Sequence, residues 1–179
     1  MKRIAFLLTA FVAAPAFAQG TAATAANPGV SGTKMVWSIM TGYFTAAAEQ
    51  VSEADYAYKP VATVRSFGEL VGHVAGAQNM FCAAALGETQ KSEDDIEKSA
   101  KTKAALVAAL KASNEYCGRA YAMTDAAAAG MTKLFGQDNS KMFTLSLNAA
   151  HVGEHYGNVV TYLRMKGMVP PSSAPRTGP

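Results

Sequence analysis

Apolar side chains recur at spacings of three and four in four separate stretches of this 179-residue chain, and that rhythm predicts four long helices. The first is expected from about Ser31 to Val51, with Val36, Ile39, Met40, Tyr43, Phe44 and Ala47 on one apolar face. Residues 52–65 break the rhythm with Pro60 and alternating tyrosines and read as a loop. The second helix opens at Ser66, where Ser66-Phe67-Gly68-Glu69 has the form of a capping box, and Gly87 stops it after about Ala85. Residues 87–101 are charged and polar, which reads as a solvated connection. The third helix covers about Thr102 to Met123, with Leu106, Ala109, Leu110, Tyr116 and Tyr121 toward the core. Ala126 to Gly130 is ambiguous between helix and break. The fourth helix runs from about Ser140 to Lys166, ended by Gly167 and barred from continuing by Pro170. No strand alternation and no internal repeat is visible. The expected fold class is all-α, a four-helix bundle.

The two ends read differently. Lys2 and Arg3 precede an apolar run from Ile4 to Val12, and Ala16-Phe17-Ala18 fits a cleavage site, so residues 1–18 are expected to be a signal peptide cut after Ala18. A periplasmic or secreted protein follows, with no stable membrane insertion once the leader is gone. Residues 19–32 are small, polar and glycine-rich and are expected to form a flexible arm, leaving the bundle at 33–169. Residues 170–179 hold four of the seven prolines and are expected to be an irregular tail.

Charge narrows the partners. The chain has 16 basic and 13 acidic residues, and losing Lys2 and Arg3 with the leader leaves a net charge of +1. A near-neutral domain without a basic run is poorly suited to nucleic acid, whose phosphates must be neutralised.

The histidines concentrate the chemistry. There are three. His151 and His155 are one helical turn apart, about 40° around the axis, and so share a face. His73 lies about two turns inside the second helix. Both helices are apolar around these residues, with Phe143, Leu145 and Leu147 before the pair and Val159, Val160 and Leu163 after it, so the imidazoles are expected to approach the core. Buried polar groups are costly there unless satisfied, and one divalent ion would satisfy all three while keeping a coordination position open. Glu154 lies about 60° from His151 around the helix and is a candidate second-sphere or proton-transfer residue, although a solvent-facing glutamate is equally expected there.

The motifs resemble a known family. Arg65-Ser66-Phe67-Gly68-Glu69-Leu70-Val71-Gly72-His73-Val74-Ala75 is similar to the first-histidine helix of the DinB/YfiT-like superfamily. His151-Val152-Gly153-Glu154-His155-Tyr156-Gly157-Asn158, continuing through Thr161-Tyr162-Leu163-Arg164 to Gly167 and Pro170-Pro171-Ser172-Ser173, is similar to its last helix and exit. The resemblance spans about residues 33–173. It implies a four-helix bundle of unusual connection order, metal ligands His73, His151 and His155, zinc or nickel as the occupant, and a homodimer. Relatives include thiol-dependent transferases and isomerases. Those work in the cytosol, where low-molecular-weight thiols are plentiful, so the ligand set carries over more firmly than the reaction. A metal-dependent hydrolase or group transferase acting on an unidentified small molecule is therefore expected. The competing class is a non-catalytic binding module with a structural ion.

Smaller signals give less. His151-Val152-Gly153-Glu154-His155 also spells an inverted zinc-protease motif, but no acidic residue follows His155 to supply that family's third ligand. Cys82 and Cys117 are the only cysteines, and in an exported protein a disulfide is favoured over two buried thiols. They would meet at equal depth only if the second and third helices run parallel. Trp37, Tyr43, Phe44, Tyr56 and Tyr58 read as core or dimer contacts rather than a pocket mouth, and the scattered methionines as core filling.

Overall fold

The computed structural model describes residues 26–175. The expected leader, its cleavage site and the first half of the expected arm lie outside the described residues. Four long helices dominate: α1 (Pro28–Gln50), α2 (Phe67–Leu86), α4 (Lys103–Ala120) and α6 (Lys141–Met165). Between them come a short α3 (Asp95–Ser99), a single-turn α5 (Asp125–Ala128) and a hairpin of β1 (Met131–Leu134) and β2 (Gln137–Ser140). No helix among the described residues is long and apolar enough to cross a membrane.

Local chemistry explains most helix ends. The Ser66 side chain accepts from the Glu69 N–H at 3.2 Å, and the Ser66 N–H donates to the Glu69 carboxylate at 2.6 Å, so the expected capping box forms. Thr102 and Ser140 cap α4 and α6 through their side-chain oxygens alone, which accept from the N–H groups of Ala105 and Phe143. Gly87 and Gly167 sit at φ of 76° and 72°, where a side chain would be strained.

The α1 start departs from expectation. The helix begins at Pro28, so residues 28–32 of the expected arm are helical. Proline suits the first helical turn. The missing cap is supplied from across the fold: the Asp125 carboxylate accepts from the N–H groups of Gly29 and Val30, at 2.9 and 2.8 Å. Asn27 returns the favour by accepting from the Asp125 N–H.

Helix directions follow from the contacts. Leu106 at the start of α4 lies beside Gly68 at the start of α2, and the Cys82–Cys117 disulfide joins their far ends with Cα atoms 5.3 Å apart. These two helices are therefore parallel, the condition the cysteine positions required. Helix α6 runs against α2, since Asn148 lies by Cys82 while Tyr162 reaches Arg65. Helix α1 is parallel to α6, with Gly29 near Met142 and Tyr43 stacked on Tyr156. The parallel α2–α4 pair forces residues 87–102 to run back along the bundle.

That return segment keeps its side chains exposed or half-buried, as a solvated connection should, but it is not loose from the bundle. It forms α3 and packs on α2, where Gly72 and Gly76 let its backbone approach. A Cβ on Gly72 would lie 2.7 Å from the Glu97 Cα, and one on Gly76 would overlap the Glu93 carbonyl oxygen. Helix α2 is central as a result, with 17 of its 20 residues buried, which is why it is apolar almost all round.

Other departures have clear causes. Val36 and Ile39, expected in the core, are 50% and 45% exposed, because α1 turns Trp37, Thr41, Phe44 and Ala48 inward instead. Phe143 is also exposed. Trp37, Phe44 and Tyr56 are core residues, as expected, and Trp37 stacks on Tyr121 at 4.4 Å. The unforeseen hairpin turns at Phe135-Gly136, both at positive φ, a turn usually signalled by Asn-Gly or Asp-Gly. The tail is partly ordered: the Ser172 N–H donates to the Tyr156 hydroxyl at 2.9 Å.

Candidate metal centre

The antiparallel pairing of α2 and α6 puts His73 opposite the turn that carries His151 and His155. Each contributes a ring nitrogen to a set lying within 4.8 Å of one another. The ring centroids of His73 are 5.1 Å from His151 and 4.8 Å from His155, and the Nε2 atoms of His151 and His155 are 3.1 Å apart. All three predicted histidines are thus brought together. His73 and His155 are buried and His151 is half-buried.

The environment keeps the rings neutral. Burial, then the charge of Arg65, pushes the His73 pKa down to about 4. Burial, then the neighbouring His155 and His73, pushes His151 down to about 3. Burial also lowers His155, opposed by the charge of Glu154. Neutral imidazoles are the form that ligates metals.

The donor set fits a divalent ion on a second count. Nδ1 of His73 and Nδ1 of His151 are buried without a hydrogen-bond partner, so the cluster holds unmet polar capacity where water does not reach. His155 Nδ1 lies 3.3 Å from the Asn158 side-chain amide. With the amide oxygen turned toward it, Asn158 accepts the Nδ1 proton and leaves the Nε2 lone pair for an ion.

The two sides of the cluster differ. Behind it, Phe81 lies edge-on to His151 at 5.5 Å, within an apolar group of Ala77, Met80, Ala84 and the hairpin residue Leu134. In front is a cleft of about 650 Å³, lined by Lys59, Arg65, Glu69, Glu97, His155, Asn158 and Tyr162 among others. A dry wall with a polar mouth is the arrangement of a site that admits a small molecule from one direction.

Glu154 stands apart from this. It is exposed on α6, outside the imidazole cluster, and makes no hydrogen bond or ion pair among the described residues. The carboxylate that comes close is Glu97, which the sequence did not reveal. One of its oxygens is 3.9 Å from His73 Nδ1, and both accept from Arg65 Nε at 3.2 and 3.1 Å. With Asp94 and His73 it forms a second group of donor atoms within 4.8 Å. The only signal for it was the Gly72/Gly76 pair, which marks a close backbone approach on α2.

Comparisons with known proteins bear on the family and the fold. The DinB superfamily sequence model matches residues 37–159, which include all three histidines. No curated protein sequence matches at a significant level. Among solved structures, a DinB-like protein of Bacillus cereus is similar at a TM-score of 0.68 and 13% identity, over 79% of this chain and 95% of that one. The DinB-like protein YjoA of Bacillus subtilis gives 0.53 and 23%, over 80% and 94%. A mycothiol-dependent maleylpyruvate isomerase gives 0.58 and 15%, over 75% of this chain and 65% of that one. At these identities the likeness is one of fold.

Proposed function

The chain belongs to the DinB superfamily, and from that premise we propose that it is an exported metal-dependent enzyme, a hydrolase or group transferase, with His73, His151 and His155 holding one zinc or nickel ion. The observation that carries this is the convergence of three neutral imidazoles, two buried and one half-buried, with His155 in the wall of a polar cleft. When bound, such an ion polarises a substrate oxygen or lowers the pKa of a bound water or thiol. The protein's own part is to hold the three nitrogens, exclude water from the Phe81 side and admit substrate beside His155.

The similar fold of a mycothiol-dependent isomerase favours group transfer with a thiol. Export, argued from residues 1–18, favours hydrolysis, because a cytosolic thiol is not at hand outside. Glu154, exposed on α6 and absent from the cleft lining, would at most relay a proton from solvent toward His155. A structural ion that merely ties α2 to α6 is the second reading, supported by the burial of His73 and His155. The implied homodimer would be read by sedimentation of the mature chain.

Elemental analysis of the wild type and of His151→Ala tests the ligand set: the wild type should carry about one ion per chain and the variant should lose it. Equal metal in both would defeat the assignment. Melting with and without chelator separates the two roles. A collapse of stability on chelation indicates a structural ion, and a small change indicates a catalytic one.

A further inference from the structure

Arg65 immediately precedes the capping serine of α2, and its backbone is anchored by the Tyr162 hydroxyl, which donates to the Arg65 carbonyl at 2.7 Å. Its Nε donates to both oxygens of Glu97, and its remaining Nη edge has no hydrogen-bond partner among the described residues. The side chain is 39% exposed, in the wall of the cleft. Its charge is felt by all three imidazoles, lowering the proton affinity of each.

The charge balance of the cleft asks for an anion. Lys59 is paired with Glu69 at 2.8 Å and Arg65 with Glu97, so the lining is neutral as it stands. A divalent ion on three neutral imidazoles adds two positive charges that no lining residue offsets. A guanidinium with a free edge binds a planar carboxylate through two parallel hydrogen bonds. A more highly charged phosphate is disfavoured by the carboxylates of Glu69 and Glu97. It would also find little help at the α2 N-terminus, where the capping box already uses the Ser66 and Glu69 N–H groups.

We propose that the cleft receives a small carboxylate-bearing substrate, whose carboxylate is clasped by the free Nη edge of Arg65 while the rest of the molecule reaches the imidazole cluster beside His155. Glu97 is a positioning residue: it fixes the guanidinium plane from the side away from the substrate. The proposal rests on the metal reading above.

The test uses the mature protein loaded with cobalt(II), whose visible absorption reports the ion's surroundings, titrated with succinate and separately with the neutral succinamide. Succinate should change the cobalt spectrum saturably and succinamide should not. Arg65→Met should still take up cobalt but bind succinate at least about tenfold more weakly, the scale of one charge-assisted hydrogen bond. Arg65→Lys, which keeps the charge without the fork, should fall between. Should Arg65→Met fail to fold, Arg65→Gln serves in its place, with succinate binding weakened at least about tenfold and cobalt uptake kept. Equal succinate affinity in wild type and variant, or an equal response to succinamide, overturns the proposal. A cobalt spectrum that ignores succinate overturns it as well and leaves the metal reading standing. A wild type that takes up no cobalt removes the ion, and the proposal falls with it.

Discussion

Replacing Gly72 by alanine isolates the contact through which the return segment builds the front of the site. The new Cβ would lie 2.7 Å from the Glu97 Cα, 3.0 Å from the Glu97 N and 3.1 Å from Leu106 Cδ2. Carbon atoms sit comfortably at about 3.5–4.0 Å, so the Glu97 backbone must retreat by about 1 Å. That is enough to break the Arg65–Glu97 hydrogen bonds, already 3.1–3.2 Å long. Three contributions set the stability change. Alanine gains about 1 kcal/mol over glycine inside a helix. Overpacking against backbone costs about 1–3 kcal/mol. The half-exposed ion pair adds at most about 1 kcal/mol of loss. The expected net is a loss of up to about 3 kcal/mol. Gly42→Ala is the matched control, because a Cβ there meets nothing within 4 Å, and it should stabilise by about 0.5–1 kcal/mol. Urea midpoints with unchanged slopes measure both. If Gly72→Ala stabilises as much as Gly42→Ala, the close approach of residues 93–97 to α2 is wrong, and with it the route by which Glu97 reaches the cleft.

Three other outcomes follow from particular contacts. In the metal-free protein, His73 titrates at about 4 when folded but near 6.5 when unfolded. The unfolded chain therefore takes up protons first, and stability is complete above about pH 6.5 and falls as the pH drops toward 4, by about 2.5 kcal/mol at pH 4.5 from His73 alone; a urea midpoint unchanged between pH 7 and 4.5 would contradict the buried neutral ring. Removing the disulfide by Cys82→Ala with Cys117→Ala frees a loop of 35 residues' separation, for an expected loss of about 3–4 kcal/mol in the same assay, and a wild-type midpoint would show that the bond does not constrain the unfolded chain. Asp125→Ala strips the cap from the Gly29 and Val30 N–H groups, so about 1 kcal/mol of stability and the hydrogen-exchange protection of the first turn of α1 should go; protection equal to wild type there would rule out the long-range cap.

Much of the site was readable because its signals are local. The i, i+4 spacing of His151 and His155 fixes their common face wherever α6 goes, and the Ser66–Glu69 box fixes the start of α2 and so the depth of His73. The disulfide was readable as a conditional, since residue counts along α2 and α4 match only for parallel helices. The hairpin was not, because its strands carry no apolar alternation and its turn uses phenylalanine at positive φ, held by burial of the neighbouring Leu134. Val36 and Ile39 misled for a related reason: α1 is apolar on more than one side, and periodicity alone cannot say which side finds a partner.

Taken alone, the order of residues determined four helices, the capping box that opens α2 and the common face of His151 and His155, all of which depend on contacts within a few turns of the chain. The fold decided what stands in front of those imidazoles. Glu97 and Arg65 are 32 positions apart in the chain, and nothing in a charged linker tells that its backbone will lie on two glycines of α2. Only the parallel placement of α2 and α4 forces that segment back along the bundle, and only there does its carboxylate meet a guanidinium at the mouth of the cleft.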